Sequence, residues 1–399
     1  MEGSKPGSVL VLNLTAFSKT GGLEKFNRCF LKALSDIEKT KHVQVVSYSM
    51  YDAQSDERYF NSAYYKGFNG GRLSFVIKSI LSSRHYDCIV LAHINIALVG
   101  YFVKLFFPKK KIILITHGIE VWGQLRGFKK KILKNADLIL SVSSFTKSKL
   151  MNIQNVEEKR IALFYNTIDP FFPLPSTFSV NLKLRQRYGL GKEDFVLYTL
   201  TRLSSGEKYK GYDIVIKCLP DLLKTMPALK YVIAGKYDIG EKTRLDELIK
   251  RLSLEKVVIF TDYINESEVQ AHFQMSDLFI MPSKGEGFGI VFIEAMACGL
   301  PVIAGNQDGS IDALQNGELG TLVNPNSEKE IAGAITTSYY EKLKWTTERK
   351  RQLQTDVLSH FSYNLYRERL EHIILSINSD SVDHRKPVYP SPVKMVAGK

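Results

Sequence analysis

The chain has 399 residues, 44% hydrophobic and 24% charged, the make-up of a globular protein of two or three domains rather than a fibrous or disordered one. Its four cysteines, Cys29, Cys88, Cys218 and Cys298, form no CxxC pair, which argues against a zinc site or a disulfide framework and fits a reducing compartment. The net charge of +13 is uneven: residues 1–170 hold 25 Lys and Arg against 13 Asp and Glu, while the remainder is nearly balanced, so the first half is expected to meet an anionic membrane or a nucleic acid.

The opening MEGSKPGSVLVLNLTAF has too short an apolar run for a secretory leader. No window reaches the roughly 18 uninterrupted apolar residues of a spanning helix. A soluble or membrane-surface protein is expected. In chain order, strand-like SVLVLNL (8–14) is followed by helical spacing at 22–34, a strand at 43–49 and a helix at 72–83. Strands at 88–93, 111–118 and 138–143 then alternate with helices at 96–107 and 128–135. That alternation predicts parallel βαβ units. The Pro-containing stretch 171–181 reads as a linker, after which the pattern restarts with strands at 195–203, 230–235, 257–262, 278–283 and 301–305 separated by helices. The fold class predicted is α/β, two Rossmann-like doubly wound domains facing across a cleft. Domains are expected at 1–175 and 176–360, with a helix over 361–378 returning to the first and a disordered tail over 379–399.

In such sheets ligands sit beyond the carboxyl ends of the strands, so the residues just after each strand carry the chemistry. The segment KGEGFGIVFIEAMACGLPVIA (284–304) is a loop after a strand followed by a helix. The backbone N–H groups of Phe288, Gly289 and Ile290 open that helix and suit a phosphate. Glu286 in the loop and Glu294 one turn into the helix can then accept hydroxyls on either side of a diphosphate, one from a sugar and one from a ribose. Within RGFKKKILKN (126–135), Arg126, Lys130 and Lys134 share a helix face flanked by Lys129, with Leu125, Phe128 and Ile132 on another, the pattern of a membrane-interface helix.

EGFGIVFIEAMACGLPVIA resembles the E-x7-E segment of GT-B glycosyltransferases, specifically the retaining family-4 enzymes (glycosyl transferases group 1). Other segments agree in order: SKTGGLEKF (18–26), THGIEVW (116–122), SVSSFTKSKL (141–150), YNTIDPFFP (165–173), TRLSSGEKYKGYD (201–213) and GTLVNP (320–325). The resemblance covers about 8–378 and implies a retaining hexosyltransferase. The sugar would pass from a nucleotide diphosphate sugar to a hydroxyl of a glycan or lipid-linked acceptor, as in polysaccharide or glycolipid synthesis. It implies His117, Arg202, Lys210 and Glu286 as catalytic residues. Gly22, Phe288, Gly289, Ile290 and Glu294 join Arg202, Lys210 and Glu286 in donor binding, and Gly21, Glu120 and Trp122 lie on the acceptor side. Lys210 is preferred to Lys208 because it precedes a glycine, as in the family. GNQDGSIDAL (305–314) departs from the family's Gly-Gly…Pro-Glu segment, so the roles of Asp308, Gly309 and Ser310 stay open.

There is no Asp-x-Asp motif, so no metal site and no cofactor are expected, with side-chain cations on the leaving diphosphate. The basic first domain points to the inner face of a cytoplasmic membrane. The alternatives are another GT-B activity, such as a nucleotide-sugar epimerase or a phosphorylase, or a basic nucleic-acid-binding protein. No nucleic-acid motif supports the last.

Overall fold

A computed structural model describes residues 7–41 and 43–377. The chain starts with β1 (Gly7–Asn13), α1 (Gly22–Thr40), β2 (Val43–Ser49), β3 (Tyr65–Gly67), α2 (Arg72–Ser83), β4 (Cys88–Leu91) and α3 (Ala97–Phe106). It continues through β5 (Lys111–Thr116), α4 (Ile119–Trp122), α5 (Gly127–Asn135), β6 (Leu138–Ser141), α6 (Ser144–Asn152) and β7 (Ile161–Leu163). The second series is α7 (Leu182–Arg187), β8 (Phe195–Leu200), α8 (Tyr212–Leu223), β9 (Leu229–Ala234), α9 (Ile239–Arg251), β10 (Val258–Phe260), α10 (Val269–Met275) and β11 (Leu278–Met281). It closes with α11 (Ile290–Ala297), β12 (Val302–Gly305), α12 (Ser310–Ala313), β13 (Thr321–Val323), α13 (Glu328–Tyr340), α14 (Thr347–Phe361) and α15 (Tyr363–Ile377).

The chain divides into two compact units, one of residues up to 141, 147–164 and 363 onward, the other of 142–146 and 165–362. The first holds a seven-stranded sheet in the order β3-β2-β1-β4-β5-β6-β7, the second a six-stranded sheet in the order β10-β9-β8-β11-β12-β13. All pairings are parallel. Each is a Rossmann-like, doubly wound unit. Strands buried on both faces need continuous apolar runs, and β4 (CIVL) and β11 (LFIM) are buried at every position. The three-residue edge strands β3, β7 and β13 escape the sequence reading, while β10, equally short, is legible within the apolar run VVIF.

The unit division at 164/165 lies earlier than the 175/176 of the sequence reading. Buried Asp312 explains it: its carboxylate accepts from Ser144 N at 3.0 Å, Ser144 Oγ at 2.8 Å and Tyr165 OH at 2.8 Å, holding both stretches to the second unit. At the far end, Phe361 O accepts from Thr167 Oγ1 at 2.9 Å and Ile168 N at 3.1 Å, so α14 stays with that unit. α15 packs on α1 in the first unit: Tyr363 OH donates to Asp36 Oδ2 at 2.8 Å, and Lys41 pairs with Glu371 at 3.0 Å. The expected disordered tail, 379–399, lies outside the described residues. All four cysteines are buried.

Arg185 fastens α7 to the base of the second sheet. Its guanidinium is 3% exposed and donates to Met275 O at 2.8 Å, to the carbonyls of Gly191, Lys192 and Asp194, and to Asp277 Oδ2 at 2.7 Å. The same Asp277 oxygen accepts from Val196 N in β8 at 2.8 Å. Arg185→Met takes the guanidinium from Asp277, which keeps Val196 N at 2.8 Å and Lys342 at 3.4 Å, and strands several carbonyls, which costs about 3 kcal/mol. Thermal unfolding followed by circular dichroism is expected to show a fall in Tm of roughly 10 °C.

Candidate functional site

In both sheets the strand order reverses beside the first strand: between β1 and β4, and between β8 and β11. The loops that leave the carboxyl ends of these strands diverge there and open a crevice. The sequence-predicted residues lie on these loops and the ones beside them.

In the second unit, the loop after β11 carries Glu286 and the stretch after β8 carries Lys210. The two side chains form an ion pair, each about 15% exposed. Burial works against the charge on Lys210, but the Glu286 carboxylate outweighs it and holds the lysine pKa above its ordinary value. The Lys210 ammonium also lies 5.3 Å from the Tyr209 ring centre, and Tyr209 O accepts from Lys284 N at 3.0 Å, so the two loops are locked together. Arg202 is exposed and pairs with Glu207. α11 follows directly. Its N-cap, Gly289, has φ +87°, which a residue with Cβ adopts only under strain, and no side chain caps it. The first turn of α11 has no acid. Phe288 is in the core, its ring 5.5 Å from Phe361 and 5.8 Å from Tyr165, and Ile290 is buried too, so the backbone N–H groups are what these residues can offer a ligand. Glu294 is buried one turn in.

Asp308, left open by the sequence, is fully buried and clamps the Glu286 loop. Its Oδ2 accepts from Glu286 N at 2.7 Å and its Oδ1 from Ser310 N at 2.9 Å. Gly309 N donates to Glu286 O at 2.8 Å. A Cβ on Gly309 would lie 2.0 Å from Gly287 O, so this approach needs glycine. Burial pushes the Asp308 pKa up to about 6, with the Glu286 charge adding to it and the N–H donors opposing.

In the first unit, His117 follows β5. Its Nε2–H donates to Ala92 O at 2.7 Å and its ring meets Phe26 edge-on at 4.7 Å. Burial lowers its pKa against the pull of Glu120 and Ala92 O. A neutral ring donating through Nε2 leaves Nδ1 as an acceptor. His93 stacks on it at 5.8 Å and is pushed down to about 4 by burial and by His117. Glu120 accepts from His117 N at 2.6 Å, so its carboxylate braces the loop. Trp122 packs against the core with its ring half-buried. Gly21 is the N-cap of α1 and Gly22 its first residue. A Cβ on Gly22 would meet open space, so the protein itself does not demand glycine there.

The β1–α1 loop that carries these glycines is held by buried Asp52, which the sequence reading missed. Its carboxylate accepts from Ala16 N at 2.7 Å, Ser18 N at 2.9 Å, Thr15 Oγ1 at 3.0 Å, Ser49 Oγ at 2.8 Å and Tyr65 OH at 2.7 Å. Burial alone would raise its pKa, but these donors keep it below the ordinary value. Its position directly after β2 was the available signal.

Arg126 is the N-cap of α5 rather than part of the helix. Lys130 and Lys134 are exposed and Lys129 half-buried. Of the apolar residues expected on the other face, Ile132 is buried, Leu125 packs on the core and Phe128 is exposed.

Residues 20–171 match the family model described as Glycosyltransferase Family 4, and residues 181–351 that described as Glycosyl transferases group 1. A Mycolicibacterium smegmatis protein named GDP-mannose-dependent alpha-(1-6)-phosphatidylinositol monomannoside mannosyltransferase is 33% identical over 57% of this chain and 60% of its own length. A D-inositol 3-phosphate glycosyltransferase of Corynebacterium aurimucosum is 28% identical over 52% and 49%. The chain thus spans 60% or less of the length of these curated relatives. Among solved structures, Anabaena HepE in complex with UDP and glucose has a TM-score of 0.73 at 22% identity, covering 93% of this chain and 100% of that one. Sucrose-phosphate synthase from Thermosynechococcus elongatus has a TM-score of 0.75 at 18% identity, covering 94% and 100%. At these identities the structures establish a shared fold.

Two carboxylates give testable signs. Asp52 has a lowered folded pKa, so its contribution is present above the unfolded value of about 3.9 and is lost as pH falls through the folded one. Asp52→Asn puts an amide N–H against buried donors and is expected to cost about 3 kcal/mol at pH 7, read from chemical denaturation. Asp308 runs the other way. Its folded pKa is raised, so stability falls as pH rises from about 3.9 to about 6 and is flat above. Asp308→Asn is expected to flatten stability against pH across that window.

Proposed function

Since the chain belongs to the GT-B glycosyltransferases, with a Family 4 first domain and a group 1 second domain, we propose that it is a retaining, metal-independent hexosyltransferase. It takes a nucleotide diphosphate sugar and glycosylates a hydroxyl of a glycan or lipid-linked acceptor for polysaccharide or glycolipid synthesis, on the cytoplasmic face of a membrane. The observation that carries this reading is the half-buried Lys210–Glu286 pair beside the acid-free start of α11.

In the proposed reaction the C1–O bond to the diphosphate breaks and a C1–O bond to the acceptor oxygen forms on the same face. The acceptor proton passes to the leaving phosphate. Lys210 and Arg202 meet the charge that develops there, in place of a metal ion. Because both are already paired with glutamates, the diphosphate must exchange partners with Glu207 and Glu286. Glu286, once released, accepts hydroxyls of the donor sugar. The α11 N–H groups take phosphate oxygens, and Glu294 takes the ribose. Gly22 admits the donor and Gly21 lies toward the acceptor. His117, neutral and with Nδ1 available, accepts from a sugar hydroxyl near the reacting carbon. Glu120 and Trp122 shape the acceptor side. The names of the curated relatives put GDP-mannose first among donors and an inositol-containing molecule, a phosphatidylinositol monomannoside or an inositol phosphate, among acceptors.

The test is release of nucleotide from a panel of UDP- and GDP-sugars, with anomeric configuration of the product read by NMR. Release from one donor is expected. It should fall roughly 10²–10³-fold in Lys210→Ala and Arg202→Ala. Inversion at the anomeric carbon would overturn the retaining reading, and neither release nor nucleotide binding would overturn the donor site.

A further inference from the structure

Helix α2 is apolar on two faces: Phe75, Val76 and Ile80 pack on the core, and a second stripe points to solvent. Amphipathic helices put their apolar stripe on the core, yet Leu73, Ile77 and Leu81, spaced four apart on one face, are 74%, 50% and 55% exposed. Serines fill the rest of the inward face. Ser79, Ser82 and Ser83 are buried beside Phe75, with Ser83 Oγ donating to Ser79 O at 2.7 Å and Ser82 Oγ accepting from Tyr48 OH at 3.2 Å. The neighbouring helices add to the apolar surface. α2 packs beside α3 and α3 beside α5. On α3, Leu105 and Phe106 are exposed; on α5, Phe128 is exposed and its ring lies 5.1 Å from Tyr101.

The charge on this layer has one sign. α2, α3 and α5 together hold one Arg and six Lys and no Asp or Glu. Lys104 is tied to Asp137 at 2.6 Å, and Lys131 lies 4.7 Å from the Tyr101 ring centre, which leaves its charge at the rim of the aromatic cluster. Apolar side chains ringed by cations match the two layers of an anionic bilayer, acyl chains beneath phosphates. A polyanion such as nucleic acid has no use for the leucine stripe.

We propose that the α2–α3–α5 face of the first unit is a membrane-insertion surface, with Leu73, Ile77 and Leu81 entering the lipid and the lysines on anionic headgroups. This rests on the membrane part of the preceding reading and deepens it from charge attraction by α5 to insertion by α2. Attraction alone is screened by salt, whereas insertion is not.

The experiment is co-sedimentation of the full chain with phosphatidylcholine vesicles, with and without 30 mol% phosphatidylglycerol in a roughly physiological buffer and in roughly threefold more salt. Binding is expected with phosphatidylglycerol and is expected to persist in part in the higher salt. The variant Leu73→Gln/Ile77→Gln/Leu81→Gln keeps helix propensity at exposed positions and should retain its Tm and its turnover of a soluble acceptor. Its vesicle binding should fall at least tenfold. Lys130→Gln/Lys134→Gln should lose mainly the salt-sensitive part. No binding by the parent chain overturns the membrane reading itself. Full binding by the α2 variant overturns insertion and leaves charge attraction standing. A parent dimer that the α2 variant turns monomeric, without vesicle binding, assigns the stripe to self-association instead.

Discussion

A buried carboxylate that accepts backbone N–H groups holds one loop of the candidate site in each unit, the glycine loop of the first and the Glu286 loop of the second. In the first unit Asp52, just after β2, grips the loop after β1. In the second, Asp308, just after β12, grips the loop after β11. In each case the acid comes from the strand next door in the sheet. Parallel strands bring their carboxyl ends to one edge, so a loop can be braced by its neighbour without any helix or metal. A glycine-rich loop left to itself would lose conformational entropy on every binding event. Here that cost is met when the chain folds.

The two clamps differ in sign. Asp52 is surrounded by enough donors to favour its charge, and so it strengthens the fold near neutrality. Asp308 has two N–H donors, a nearby glutamate and almost no solvent, so its charge is disfavoured. The loop it holds carries the glutamate paired with Lys210. The disfavoured charge of Asp308 and the Lys210–Glu286 pair therefore sit on one loop.

The βαβ alternation was legible in the sequence because helical and strand periods differ and the strands are continuous apolar runs. The loop–helix segment around Glu286, Gly289 and Glu294 was legible because glycines and an acid precede an apolar helix. The preference for Lys210 rested on the glycine after it, and the structure pairs that lysine with Glu286. What sequence hid were the partners each side chain takes. Residue type and period do not say that Glu207 holds Arg202, that Glu120 spends its carboxylate on a backbone N–H, or that Asp52 is buried rather than one more acid in a polar loop. The pattern of α2 shows two faces but not which one turns inward.

The four buried thiols carry a consequence for following the molecule in solution. Burial pushes the Cys218 thiol up to about 12 and raises Cys88 and Cys298 as well, so the reactive thiolate is scarce in the native state. Cys29 and Cys88 belong to the first unit, and Cys218 and Cys298 to the second. An alkylating reagent therefore reads openings of the chain rather than surface chemistry. Mass shifts on peptides around each cysteine would clock the two units separately, giving a native-state record of which one loosens first.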